Sequence, residues 1–312
     1  MLIVIDRLLG PDVEDNAAAE VGGLAGSVVE AAGHEQLGPY LVPLLQAVAL
    51  RLARATHAQL IQSLVLVFAR LAINNAAEIV DFLSSLDIPA SSLLSDATSS
   101  NGLSVLLPKW LDASGTFVGY AAIRTNVTAL ATLYALHDPR IAAISCKGDL
   151  IPNPATAGRI VTRSRAKQMP DQYTTVSADV KIVKVLIEEL AAPADDAAAA
   201  ANAVAAGNGS LSDDDEEDDA GDARSSVNGD EWEDDDTFLD LGLGATKAEL
   251  MGWANEDGRI FGGVGQRSDD ETQVFLGEWF RRMATEEGGR EGFMAILGGL
   301  TERERGRLAV LG

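Results

Sequence analysis

Apolar residues recur along this chain at i, i+3, i+4 and i+7, the spacing that places them on one face of a helix. A first run holds Val21, Leu24, Ala25, Val28, Val29 and Ala32, and Gly33, which readily takes the left-handed conformation, predicts its end. A second follows Pro39 with Leu41, Leu44, Leu45, Val48 and Leu52, the proline standing where a helix start tolerates a missing N–H. The third, with Leu60, Ile61, Leu64, Val65, Phe68, Leu71 and Ala72, is the most regular. Asn74-Asn75 breaks it, and a fourth follows with Ile79, Phe82, Leu83 and Leu86 before Pro89, which predicts two antiparallel helices joined by a short turn. A fifth runs through Leu103, Leu106, Leu107, Trp110 and Leu111. A sixth carries Ile123, Val127, Leu130 and Tyr134 to the turn His137-Asp138-Pro139-Arg140. After a polar connector comes a seventh with Val183, Leu186, Ile187 and Leu190.

From Pro193 to about Asp236 the pattern vanishes into an alanine run, Gly207-Asn208-Gly209-Ser210 and a block of acids. Charge this dense with so few apolar groups cannot offset chain entropy, so the segment reads as a disordered insertion. Helical spacing returns at Phe275, Leu276, Trp279, Phe280 and Met283, then at Phe293, Ile296 and Leu297. Thr301 and Glu304 form a capping box for a last helix ending at Leu311. The predicted organisation is helical repeats over 1–192, a disordered acidic insertion over 193–237, a flexible connector with a short helix over 238–271, and a C-terminal helical cap over 272–312. Helix pairs at roughly 40-residue spacing predict an all-α chain, a right-handed α-solenoid of HEAT-type hairpins, with a globular helical bundle as the alternative. Leu2, Ile3, Val4, Ile5, Leu8 and Leu9 make an apolar helical start without a polar cap, so Met1 is expected not to be the natural beginning of the stack.

Composition supports helix over strand: 47% of residues are hydrophobic but only 5% aromatic, and Ala, Leu and Val dominate. One cysteine, Cys146, excludes an internal disulfide and multi-cysteine zinc patterns. No uninterrupted apolar run approaches the roughly 20 residues of a membrane span, and no secretion signal opens the chain. Cytoplasm and nucleus are the expected compartments. The triplets Asn126-Val127-Thr128 and Asn208-Gly209-Ser210 match the glycosylation pattern but carry no weight here.

Charge changes the picture most. The formal net charge is -23, and more than half of it lies between Asp213 and Asp236. Asp213, Asp214, Asp215, Glu216, Glu217, Asp218 and Asp219 form one block; Glu231, Glu233, Asp234, Asp235 and Asp236 surround Trp232 in a second, with Phe238 just beyond. Such a segment repels nucleic acid and anionic membranes and steers basic proteins toward it. Trp232 and Phe238 would anchor in apolar pockets of a cationic partner while carboxylates meet its Lys and Arg; the alternatives are a solubilising spacer, or rings that dock the segment back on the helices. A basic cluster, Arg159, Arg163, Arg165 and Lys167, lies in the connector and reads as structural pairing or as a localisation or phosphate signal.

Enzymatic chemistry has no constellation behind it. His34, His57 and His137 stand apart near helix ends, Cys146 lacks a partnered base, and Phe261-Gly262-Gly263-Val264-Gly265 follows no strand. No catalytic residue, metal site or cofactor is expected, and the acidic run lacks the spacing of a calcium loop.

The stretch Arg159-Ile160-Val161-Thr162-Arg163-Ser164-Arg165-Ala166-Lys167, then Pro170, Tyr173 and the helix Val180 to Ile187, resembles the late repeats of importin-9-like receptors of the karyopherin-β superfamily. The order of the remaining segments agrees: an alanine-rich gap, Trp232-Glu233-Asp234 beside an acid run, and the closing Glu302-Arg303-Glu304-Arg305-Gly306-Arg307-Leu308. The likeness covers about the second half of the chain. It implies a stack of HEAT repeats that carries cargo, core histones among it, through nuclear pores and binds Ran in its GTP form. It implies too that the acids from Asp213 to Asp219 with Trp232, Glu233 and Asp234 face the cargo. Ran-GTP is then expected to bind mostly through repeats outside this chain, and nuclear pore proteins at the nuclear envelope are further implied partners. A stand-alone HEAT scaffold, or an acidic histone chaperone with no transport role, is the competing reading.

Overall fold

The structure is a computed structural model that describes residues 1–89, 99–151, 171–207, 270–285 and 287–309. The chain divides into two compact units, one comprising Met1–Ala192 with Arg267–Gly312 and the other Pro193–Gln266.

The first unit is built of helices. α1 (Leu2–Leu9), α2 (Val21–Leu37), α3 (Leu41–Arg54) and α4 (Ala58–Ser85) are followed by a small antiparallel pair, β1 (Asp87–Pro89) and β2 (Ser99–Asn101). Then come α5 (Gly102–Ala113), α6 (Tyr120–Ala135), a single turn α7 (Pro139–Ala142), a hairpin of β3 (Ser145–Ile151) and β4 (Gln172–Ser177), and α8, which begins at Ala178. α9 (Asp270–Thr285), α10 (Glu287–Leu297) and α11 (Glu302–Ala309) complete it. Elements near in sequence pack on one another in order, α1 on α2 and α3, α2 and α3 on α4, α4 on α5 and α6, and α9 on α10, while α9 also packs on the distant α6. That layering is a helical solenoid, with one apolar core running from Ile5 to Leu300.

Local chemistry explains the boundaries. α2 does not stop at Gly33; it continues to Leu37, and the glycine with positive φ is Gly38 (φ 43), five residues later. Gly33 lies in a helix whose next turn still reaches the core through Leu37, so freedom to leave the helix was present but unused. The predicted break at Asn74-Asn75 is confined to Asn75, whose φ of -150 and ψ of 80 interrupt α4. No separate turn intervenes. Asn101 caps α5 by accepting from the N–H groups of Leu103 (2.9 Å) and Ser104 (3.4 Å). The Thr301–Glu304 capping box forms: the Glu304 carboxylate accepts from the Thr301 N–H at 2.6 Å, and Thr301 Oγ1 accepts from the Glu304 N–H at 3.3 Å.

Two expectations need correcting. The connector after α7 is not merely polar, because Ser145 to Lys147 pair with Ser177 to Thr175 and, beyond a bulge, Leu150 and Ile151 pair with Tyr173 and Gln172. Short strands that pair across twenty residues leave little periodic trace, and burial of Cys146 against α5 fixes this one. And α4 is long and apolar enough to cross a membrane by length and composition. Arg70, Asn74, Glu78 and Asp81 interrupt it, which is why no continuous run shows in the sequence. Leu60, Leu64, Val65, Phe68 and Ala72 are buried in the solenoid, the pattern of a core helix.

Of the second unit, the structure describes the helical backbone of α8, which runs from Ala178 to Gly207. The helix passes Pro193, where the apolar pattern ends, and continues through the alanine run, whose intrinsic propensity is the highest available.

Candidate cargo-binding site

The residues singled out for cargo, Asp213 to Asp219, Glu231 to Asp236 and Phe238, lie outside the described residues, as do Arg159, Arg163, Arg165 and Lys167. The described residues show instead how the first unit holds the two helices through which the chain leaves it after Ala192 and re-enters it at Arg267.

α8 is seated by Ile182, Val183, Leu186 and Ile187, all buried, and its first N–H donates to the Ile144 carbonyl at 2.9 Å. One charge sits on the same buried side. Lys184, with its side chain 3% exposed, donates to Asp149 of β3 at 3.0 Å and to Glu304 of α11 at 2.8 Å. Burial works against the Lys184 ammonium, but the hydrogen bonds to Glu304 and Asp149 outweigh it and raise its pKa. The periodicity of α8 does not announce this contact. The only sequence signal is the polar residue at position 184 within the apolar run from Ile182 to Ile187.

α9 is held by rings. Tyr134 of α6 meets Trp279 edge-on at 5.5 Å, Trp279 meets Phe280 at 4.9 Å, and Phe280 meets Phe293 of α10 at 6.2 Å. Arg124 of α6 pairs with Glu271 at the rim. The Gln273 side chain of α9 donates to the Glu189 carbonyl of α8 at 3.1 Å, clipping the two helices together. The chain therefore departs and returns through neighbouring elements, each seated in the core and tied to the other.

The residues weighed for other chemistry are accounted for. Cys146 is buried and its thiol is pushed up to about 11 by that burial and by the nearby carboxylates of Asp112 and Asp179, so the thiolate that would react is scarce. His57 stands at the start of α4 and its backbone N–H donates to Asp15 at 3.0 Å. His137, at φ 50, sits 2.9 Å from the Ala135 carbonyl and leans on Tyr134. The His34 side chain is outside the described residues. Asn126 is buried and accepts from the Trp110 indole at 2.6 Å, so its amide is committed to the core. Among the described residues no group of three or more His, Cys, Asp or Glu is placed to hold a metal ion.

No family model matches this chain. Among curated proteins it is similar to importin subunit beta-5 of Saccharomyces cerevisiae, 34% identical over 188 residues. It is also similar to importin subunit beta-5 of Schizosaccharomyces pombe, 30% identical over 192 residues, and to importin-9 of Drosophila melanogaster, 30% identical over 194. These matches take in 60 to 62% of this chain. Over these residues the chain is similar to part of an importin. It spans about 18% of the length of each of these importins, so their whole-protein activities are not read onto it directly. The importin likeness and the solenoid agree, because a stack of helical layers offers a long binding surface.

Proposed function

We propose that this chain is the cargo-binding portion of a nuclear import receptor, and that it takes basic proteins, core histones in particular. The observation that carries this reading is the acid block from Asp213 to Asp236, inserted between two helices that the solenoid clips together through Gln273 and Glu189. Tethering at both ends gives that charge a high effective concentration for a cargo bound by the same chain. Asp213 to Asp219 neutralise lysines and arginines of the cargo, and Trp232 and Phe238, framed by Glu231, Glu233, Asp234, Asp235 and Asp236, insert as apolar anchors. The receptor shuttles between cytoplasm and nucleus through the nuclear envelope, releasing cargo to Ran-GTP and meeting pore proteins through a molecule longer than this chain.

The test is binding of the purified chain to a core histone dimer across a salt series, beside a variant in which 213–236 is replaced by a Gly/Ser linker. Tight binding that weakens steeply with salt and collapses in the variant supports the proposal. Equal binding by both chains, or binding indifferent to salt, overturns the role of the acids.

A further inference from the structure

α11 has little apolar grip on the rest of the solenoid. Among its described residues Glu304 is the one that is buried. Leu300, just before the helix, is buried, and Leu308 near its end is partly covered. Arg303 and Arg305 are exposed, and Arg307 lies near the exposed Glu188 of α8, so water screens these charges. The helix contains no aromatic residue that could extend the chain of rings fixing α9 and α10.

Its hold is concentrated in one carboxylate. Glu304 accepts from Lys184 Nζ at 2.9 Å with Oε1 and at 2.8 Å with Oε2. Oε2 also accepts from the Thr301 N–H at 2.6 Å and from its hydroxyl at 2.9 Å. The Thr301 contacts lie within the terminal segment and travel with it; the Lys184 contacts do not. Lys184 has a second partner, because Asp149 of β3 accepts from Nζ at 3.1 Å with Oδ1 and at 3.0 Å with Oδ2. The Asp149 side chain is 46% exposed and that of Glu304 9%, so one ammonium is shared between a carboxylate at the water's edge and one inside.

Breaking a buried ion pair costs most where a charge is left unpaired. Here Glu304 can withdraw into water while Lys184 keeps Asp149, and neither charge is stranded. The backbone permits the movement at Gly298-Gly299, between α10 and α11. Gly298 and Gly299 close α10 by donating to the Ala295 carbonyl at 3.3 Å and the Ile296 carbonyl at 2.8 Å, so a pivot beyond Gly299 leaves α10 intact.

We infer that α11 is a strap that opens from the first unit as a piece, pivoting at Gly298-Gly299, while Lys184 passes from Glu304 to Asp149. The device does not rest on the cargo reading, since the acids from Asp213 to Asp236 take no part in it. It carries a sign that an ordinary stabilising contact lacks. In the closed state Asp149 competes with Glu304 for one ammonium; in the open state it is the partner that keeps that ammonium paired. Removing the Asp149 charge therefore favours closure of the strap.

Native-state hydrogen exchange of the full chain tests this. The α11 amides are expected to exchange together, ahead of those from Ile182 to Ile187 in α8 and from Leu276 to Met283 in α9. Glu304→Gln should speed α11 exchange about tenfold, and Asp149→Asn should slow it by a similar factor, with α8 and α9 unchanged in both. The Asp149 N–H, which donates to Thr174 Oγ1 at 2.8 Å, is retained in that variant, and circular dichroism checks that each variant is folded. A Cβ at position 299 would lie 3.4 and 3.8 Å from the two Val180 methyl groups, within reach of a disulfide. Val180→Cys with Gly299→Cys should therefore suppress α11 exchange when oxidised and restore it on reduction. Exchange of α11 in step with α8 and α9, unchanged or faster α11 exchange in Asp149→Asn, or indifference of the oxidised double variant to reduction would overturn the strap.

Discussion

The crossing of α2 on α4 and the seating of α11 on α8 join helices by opposite means. At the first, Gly22 lies so close to the Ser63 and Leu64 backbone that an added Cβ would collide with the Ser63 carbonyl. The contact is made by the absence of a side chain. At the second, Lys184 and Glu304, 120 positions apart, reach across with long charged side chains and close the gap at 2.8 Å. α2 and α4 are near in sequence, so close packing of small groups is enough once both helices form. α11 returns after the long stretch between Gly207 and Asp270, and a non-directional apolar face would leave its register loose; the paired charges and the aromatic chain specify where it sits.

Four substitutions separate the two kinds of contact. Lys184→Ala strands the Glu304 carboxylate in the core and should cost about 4 kcal/mol, read as a loss of denaturant midpoint with hydrogen exchange rising first in α11. If exchange rises equally in α2 and α4, the two regions do not act separately. Gly22→Val drives a branched side chain into the Ser63 backbone, and overpacking of that kind costs about 3 kcal/mol; here exchange should rise in α2 while α11 stays protected. Asp15→Ala removes the acceptor that caps α4 through Thr56 and His57 and leaves buried Arg51 without its carboxylate, for a loss of about 2 kcal/mol. Thr301→Ala breaks half the capping box and should cost about 1 kcal/mol, confined to α11.

The two regions also differ in pH response. Burial works to raise the Asp15 pKa, but hydrogen bonds from Thr56 and His57, with the charge of Arg51, lower it. Its contribution is thus complete above the unfolded carboxylate value of about 3.9 and is lost as pH falls below that toward the depressed folded value. The raised pKa of Lys184 has the opposite sign: its contribution is complete below the unfolded lysine value of about 10.4 and is lost as pH climbs beyond it. A stability profile for Asp15→Asn should flatten on the acid side relative to the parent, and one for Lys184→Met on the alkaline side.

The helices and their buried faces were legible because each needs only its own periodicity. Leu60, Leu64, Val65 and Phe68 lie inward as their spacing requires, and the capping box at Thr301 needs only three residues of chain. Legibility failed where the outcome depended on something distant. Gly33 has the same intrinsic freedom as Gly38, and nothing local says which one ends α2. The β3–β4 hairpin joins strands separated by twenty residues. The acids from Asp213 to Asp236 were visible as composition, while the clip between α8 and α9 was not.

The sequence by itself determined that this protein is helical, where most of its helices face inward, and that more than half of its net charge lies in one segment, because burial periodicity and charge density are properties of neighbouring residues. The tertiary structure alone decided that Lys184 is a buried link rather than a solvated charge and that Gly22 is a contact surface. Those outcomes depend on what a helix meets across space, and a side chain's solvation, partner and pKa exist only once that neighbour is in place.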